Sequence, residues 1–356
     1  MEPKNRFLVC IWLPALFLSA CDFSPKPEPV PPEPPPEKAY HAEILWEREI
    51  NTISSAVSPL IEGQYCYYPA RENYPGGGQN IVKISMEENG RVEWESRGIG
   101  YSSTEKPQKI GPHIYLPDQS GLIYVYNDSD GKLAATVMLG NDETEAKNNN
   151  MEFSPVAVSG PYLFWGREDG LMRFNSEQID FSAPPGEIQS IIPELIWSNS
   201  SQPQIYTNLI PENGILYFIT GSYRGKNARV LAALNAETGD VIWEREVSHI
   251  DNLEWFSYFL NELVFNGDKL IVVGETFSSY DKSTGVPTLE NISMGYETNR
   301  YWRDRITLYN NRLFYLDNWD LVSVNADTGE FMGVDASFRA ESGVQFSYEI
   351  AIYKDA

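Results

Sequence analysis

Six times between residues 63 and 316 a turn residue, usually glycine, stands directly before an apolar and aromatic run. The copies are Gly63-Gln64-Tyr65-Cys66-Tyr67, Gly111-Pro112-His113-Ile114-Tyr115-Leu116, Gly160-Pro161-Tyr162-Leu163-Phe164, Gly214-Ile215-Leu216-Tyr217-Phe218, Gly267-Asp268-Lys269-Leu270-Ile271-Val272 and Asn311-Arg312-Leu313-Phe314-Tyr315. Their intervals are 48, 49, 54, 53 and 44 residues. Aromatic and β-branched runs bounded by Gly and Asn read as strands. A period of this length marks an array of small β units, none of which buries its apolar surface alone. The stretch 40–356 is long for one compact core, and no second linker interrupts it, so a repeat architecture is required. No long 3.6-residue pattern appears, which excludes a helical solenoid.

A second element follows most copies: an alternating strand, a polar turn with Gly, and another strand. Its clearest form is Val230–Trp243, with Asn235-Ala236-Glu237-Thr238-Gly239 as the turn. Leu321–Phe331, with Gly329, and Ile123–Leu133, with Gly131, are close relatives, while Val82–Ser85 before Gly90 and Tyr280–Gly285 are weaker. Gly supplies the positive φ of a tight hairpin, and Asn or Asp tolerates it. Trp94 and Trp243 each stand four residues after that Gly, and Trp46-Glu47-Arg48-Glu49-Ile50 nearly copies Trp243-Glu244-Arg245-Glu246-Val247. The first strand thus reads as the last strand of a blade begun by the C-terminus, a closure that removes an open sheet edge.

This unit resembles the PQQ-like, quinoprotein-type β-propeller repeat, a strand, A-x-T-G-x and a second strand with Trp, over most of residues 40–335. The resemblance implies an all-β propeller of four-stranded antiparallel blades. Six blades are expected, or seven with an incomplete last blade drawn from 336–356 and closed by Trp46. It also implies that Trp46, Trp94 and Trp243 pack between blades, with Gly239 and Gly329 as repeat landmarks. The segment around Glu168–Phe174 lacks the A-x-T-G turn in blade three.

The N-terminus has a basic start (Lys4, Arg6), an apolar run Phe7–Leu18 and then Ser19-Ala20-Cys21. The run is shorter than the ~20 residues that span a bilayer and fits a secretory signal. Leu18-Ser19-Ala20-Cys21 resembles the lipobox of bacterial lipoproteins, which implies a signal peptide over 1–20 and a lipidated Cys21. Eight of the twelve residues 25–36 are proline. They read as an extended spacer over 21–39 between the lipid and the propeller of 40–356. The expected location is the bacterial cell envelope, extracytoplasmic; inner and outer membrane stay open.

The formal charge of −23 disfavours nucleic acid, which needs a basic footprint. Cys66 is the one cysteine left after Cys10 and Cys21, so no internal disulfide is expected, and it reads as a buried thiol. His41, His113 and His249 lie far apart in sequence, and Asn127-Asp128-Ser129-Asp130-Gly131 has no Glu at the twelfth position of a Ca²⁺ loop, so it reads as a hairpin turn. No nucleophile elbow is present. The PQQ dehydrogenases that the repeat resembles carry an adjacent Cys pair that this chain lacks. No enzyme activity, cofactor or metal is expected.

Two segments read as insertions rich in the Trp, Tyr and Arg of interface hot spots. One is Thr288–Arg305, with Tyr296, Arg300, Tyr301, Trp302, Arg303 and Arg305; the other is Asp251–Leu260, with Trp255, Phe256, Tyr258 and Phe259. A lipid-anchored propeller of this kind resembles the BamB type of outer-membrane assembly lipoprotein. That implies a protein-binding scaffold with protein partners in the envelope and a membrane contact through the anchor. The alternative is a small-ligand or carbohydrate-binding module, or an extracytoplasmic enzyme, that uses the propeller channel.

Overall fold

Of the two units, 1–39 and 40–356, the second holds every described residue. The computed structural model describes 59–337 apart from 72–78, 89, 98–105, 119, 150–155, 168–169, 199–208, 221–228, 248–261, 274–275, 294–305 and 318–319. Blade one is β1 (Leu60–Glu62), β2 (Tyr65–Arg71), β3 (Gln79–Ser85) and β4 (Arg91–Arg97). Blade two is β5 (Gln108–Ile110), β6 (His113–Pro117), β7 (Leu122–Asn127) and β8 (Leu133–Met138), followed by a short helix, α1 (Glu143–Asn148). Blade three is β9 (Val156–Ser159), β10 (Tyr162–Arg167), β11 (Gly170–Asn175) and, after an excursion that contains β12 (Ile188–Ser190), β13 (Glu194–Trp197). Blade four is β14 (Ile210–Glu212), β15 (Ile215–Ile219), β16 (Arg229–Asn235) and β17 (Val241–Val247). Blade five is β18 (Glu262–Asn266), β19 (Lys269–Val273), β20 (Thr276–Asp281) and β21 (Pro287–Ser293). Blade six is β22 (Thr307–Tyr309), β23 (Arg312–Asp317), β24 (Asp320–Asn325) and β25 (Phe331–Ser337). Each blade is an antiparallel four-stranded meander, and the six form a β-propeller.

All six described blades draw their strands from one contiguous stretch each, so none is shared between the chain ends. A seventh blade closed by Trp46 would fall on 40–58 and 338–356, outside the described residues. One departure from the antiparallel expectation is β12, which adds to the edge of blade two in parallel with β8.

The glycine-aromatic element is the first hairpin of every blade. In each, a two-residue turn joins the first strand to the second. Gly63, Gly111, Gly160 and Gly267 open it at φ between +57° and +60°, as a type II′ turn needs. Asn213-Gly214 and Asn310-Asn311 have positive φ at both positions, as type I′ demands. The repeat therefore begins one residue earlier in blades four and six than an alignment on Gly214 and Asn311 suggests.

The second strand carries an unbroken apolar run because both its faces are buried. Successive side chains alternate between faces, and each face meets a different neighbouring blade. Ile114 and Leu116 pack towards blade one, while Tyr115 packs towards blade three. Leu163 and Trp165 face blade two, and Phe164 faces blade four. Leu216 and Phe218 face blade three, while Tyr217 and Ile219 face blade five. Leu270 and Val272 face blade four, and Ile271 and Val273 face blade six. Among the described residues the core is thus a series of five clusters, each shared by two consecutive blades.

The second hairpin is held by its own side chains. Asn235 Oδ1 accepts from the amides of Glu237 and Thr238 at 2.8 and 2.9 Å, and Asn325 Oδ1 accepts from those of Asp327 and Thr328 at 2.8 and 3.1 Å. Asp281 plays the same part in blade five. A backbone bond then ties the end of the third strand to the first hairpin in all six blades: Met86 to Gln64, Asp128 to Pro112, Ser176 to Pro161, Ala236 to Gly214, Lys282 to Asp268 and Ala326 to Asn311.

The glycine of this second turn is where one blade meets the next. A Cβ on Gly131 would lie 2.5 Å from the Trp94 ring, and one on Gly285 would lie 2.5 Å from the Trp243 ring. Gly329 would strike Phe277 at 2.7 Å, and Gly239 would strike the Ile196 carbonyl at 2.5 Å. The indole of Trp94 donates to the Asp128 carbonyl at 2.8 Å, and that of Trp243 to the Lys282 carbonyl at 3.0 Å, both in the next blade's turn.

The two glycine classes predict different costs. Gly267 has positive φ, but a Cβ there would meet open space, so Gly267→Ala bears only left-handed strain, ~1–2 kcal/mol. Gly285→Ala adds overpacking against Trp243, ~1–3 kcal/mol more. Urea unfolding midpoints with an unchanged m-value will show Gly285→Ala as the more damaging; equal costs would remove the interblade contact from this account.

Candidate protein-binding surface

The residues named from sequence divide sharply. Cys21, Trp46, Tyr296, Arg300, Tyr301, Trp302, Arg303 and Arg305 lie outside the described residues, as does Asp251–Leu260. Thr288–Ser293, the start of the segment read as an insertion, is instead part of β21 (Pro287–Ser293), the fourth strand of blade five. Trp94 sits between blades one and two and Trp243 between blades four and five, while Gly239 and Gly329 lie in the second turns of blades four and six, against Ile196 and Phe277. Cys66 is half-buried on β2 rather than fully buried.

The blade one–two boundary carries the densest polar cluster described. Asp128, in the turn after β7, accepts from Tyr67 Oη at 2.6 Å and Lys83 Nζ at 2.6 Å, and pairs with Lys109 Nζ at 3.0 Å. Lys83 Nζ also lies 4.1 Å from the centre of the Tyr65 ring. Burial opposes charge on Asp128, but the bonds from Lys83, Tyr67 and Lys109 outweigh it and hold the carboxyl below its ordinary range. Burial, then the Asp128 bond, drives the Tyr67 phenol far above its own. A carboxylate held by two lysines and a phenol, inside a hairpin turn, serves the fold. Among the described residues no three His, Cys, Asp or Glu side chains gather in a cluster able to hold a metal, and no helix is long and apolar enough to cross a membrane.

Sequence reasoning missed the surface that stands out. Between β11 and β13, where the other blades have a tight turn, residues 176–193 leave the blade. A single 3₁₀ turn (Ser176–Gln178) starts the excursion, and β12 then pairs Ile188, Gln189 and Ser190 with Thr136, Val137 and Met138. It is firmly pinned. Ile179 and Ile191 are buried in the core between blades two and three. Asp180 N donates to Gln189 Oε1 at 2.8 Å, and Gln189 Nε2 returns a bond to the Asp180 carbonyl at 2.9 Å. Thr136 Oγ1 donates to the Pro185 carbonyl, and Phe181 stacks on His113 with centroids 4.1 Å apart. Burial lowers the His113 pKa, which favours the neutral ring in that stack.

The excursion and the strand it leads into expose Phe181 (42%), Ile188 (52%), Ile192 (56%) and Leu195 (47%), four of the eight large apolar side chains exposed among the described residues. Large apolar side chains held in solvent by a pinned segment make this stretch the candidate binding surface. Two signals pointed here: the missing A-x-T-G turn of blade three, and the breaker run Pro184-Pro185-Gly186 inside a blade.

No family model and no curated protein matches the chain. Among solved structures, BamB from Moraxella catarrhalis is similar over 78% of this chain and 75% of its own, at 14% identity and a TM-score of 0.45. The computationally designed Ika8 protein is similar over 82% of this chain and 90% of its own, at 12% identity and a TM-score of 0.48.

The Asp128 cluster predicts a pH dependence. A carboxyl with a lowered folded pKa stabilises above its unfolded value, ~3.9, and loses that contribution as pH falls through the folded value. Asp128→Asn strands Lys83 and Lys109 and should cost ~1.5–3 kcal/mol near pH 7. The gap between wild type and variant should shrink below pH ~4. Chemical denaturation at pH 7 and pH 3.5 measures both; a gap that stays constant would show that the charge on Asp128 contributes nothing.

Proposed function

We propose that this chain is a lipid-anchored protein of the bacterial cell envelope whose β-propeller is a binding scaffold for other envelope proteins. Residues 1–20 act as the signal peptide, Cys21 carries the lipid, and the proline-rich 21–39 holds the propeller off the membrane. An acidic domain is repelled by anionic headgroups, which makes such a stand-off favourable. The observation that carries the scaffold reading is the blade-three excursion, a pinned segment that together with β13 leaves four large apolar side chains in water. A chain needs no such surface for its own stability, since exposed apolar area contributes nothing to folding. Assembly of outer-membrane proteins is the process to which the repeat and the anchor together point.

Two measurements test this. Cys21→Ala should move the protein from the membrane to the soluble fraction after cell lysis; retention on the membrane would remove the lipid anchor. Mild crosslinking in native membranes, followed by purification of the full lipoprotein and mass spectrometry, should recover outer-membrane assembly components in stoichiometric yield. Recovery of the lipoprotein alone would remove the scaffold function.

A further inference from the structure

We propose that the blade-three excursion docks an extended segment of a partner protein, one whose apolar side chains are interspersed with lysine or arginine. The inference rests on the scaffold reading and adds the place and the chemistry of the partner.

Three observations converge. First, β12 is the edge of the five-stranded sheet of blade two. Native proteins usually blunt an edge strand with charge or proline. Here the strand itself is Ile-Gln-Ser, with Ile188 and Ser190 exposed and the prolines kept to its flanks at 184, 185 and 193. An extended peptide can pair with such an edge through its main chain, with side-chain pockets giving selectivity. Second, Phe181, Ile188, Ile192 and Leu195 provide exposed apolar surface along the same short stretch. Third, apart from Glu194, which Arg173 of β11 neutralises, the charge there has one sign. Residues 176–195 contain Glu177, Asp180, Glu187 and Glu194 and no Lys, Arg or His. The packed neighbours β8 (LAATVM) and β9 (VAVS) add no charge. Arg173 is engaged by Glu194 and by the carbonyls of Ala236 and Glu237 in the next blade. Asp180, whose carboxyl bonds with Ser182 keep it below the usual range, stays ionised. A basic strand meets complementary charge at this rim; an acidic strand or an anionic lipid surface is repelled. Such complementarity sets selectivity and association rate more than affinity, and it weakens with salt.

The test uses the full chain and two labelled peptides, one alternating valine with lysine and its valine–glutamate counterpart, read by fluorescence anisotropy. The lysine peptide should bind, more weakly as salt rises, and the glutamate peptide should not. Ile188→Asp and Ile192→Asp should each weaken binding by about tenfold or more, a loss of ~1.4 kcal/mol or more. Ile192 lies outside the strand, so its variant keeps the test valid if Ile188→Asp disturbs β12. The double substitution Glu177→Lys, Glu187→Lys should reverse the preference towards the glutamate peptide. Equal binding of both peptides, indifference to Ile192→Asp, or binding to anionic vesicles in place of the peptide overturns the proposal. Crosslinking in native membranes separates the two levels. If the Ile188→Asp, Ile192→Asp lipoprotein recovers the same partners as wild type, the docking site is wrong and the scaffold stands; if wild type recovers none, both fall.

Discussion

The contact between a fourth-strand aromatic and the turn glycine of the following blade is the constraint on which the other features depend. A four-stranded blade has two apolar faces, and in isolation both would meet water. Stacking covers them, but sheets that twist diverge at their ends, and the second turn is where the gap between blades must be closed. Trp94 on Gly131 and Trp243 on Gly285 close it with a flat ring laid on bare backbone, and the indole N–H satisfies the turn carbonyl beneath. Any side chain at the glycine would hold the ring away and reopen the gap along the whole face. Because each blade touches only its neighbours, stability accumulates by such interfaces rather than through one central core.

The same geometry is filled with different chemistry from one interface to the next. Tyr67, Lys83, Lys109 and Asp128 occupy, at the blade one–two boundary, the register positions that Tyr217, Ala233, Phe265 and Lys282 hold between blades four and five. The first set is an ion cluster around a half-buried carboxylate. The second packs Tyr217 edge-on to Phe265 and pairs Lys282 with Glu212 of blade four. Between blades five and six the ring comes from the third strand, as Phe277, and Lys269 pairs with Asp327. Faces that differ this way do not interchange, so each blade is matched to its own neighbours.

The repeat was legible because its two turns are written in local chemistry. Gly or Asn at positive φ, and Asn or Asp capping the next two amides, are demands a short sequence window can express. The fate of the continuous apolar runs was also legible, since only a strand covered on both faces tolerates them. The candidate surface on blade three was not. The Trp, Tyr and Arg of 296–305 lie outside the described residues, while the start of that segment, Thr288–Ser293, belongs to an ordinary fourth strand whose Leu289 and Ile292 pack on the blade five–six core. The excursion of blade three has a plain composition, and its parallel pairing with β8 is a long-range event that no local pattern encodes. What the sequence did carry was a break in rhythm, the lost turn motif, and a broken rhythm tells where to look without telling what is there.

That break has a physical cause in the lock itself. The position that Trp94 holds opposite Lys83, and Trp243 opposite Ala233, is taken in blade two by Ala135, opposite Val125. Blade two therefore brings no fourth-strand ring to the boundary, where its Tyr115 comes from the second strand, and blade three has no second-turn glycine to receive one. Both halves of the contact are missing together. The volume is made up by Ile179 and Ile191, which enter the same cluster as Ala135 from the two ends of the excursion. Once the excursion is recruited as filler, the residues between its two anchors must pass over the outer edge of blade two, where β12 pairs with β8. Phe181 and Ile188 lie on that path, and Ile192 follows the second anchor directly. The exposed apolar surface is thus a consequence of how one interface was completed without its tryptophan, and an open, acidic-rimmed edge is what that solution leaves available to a partner.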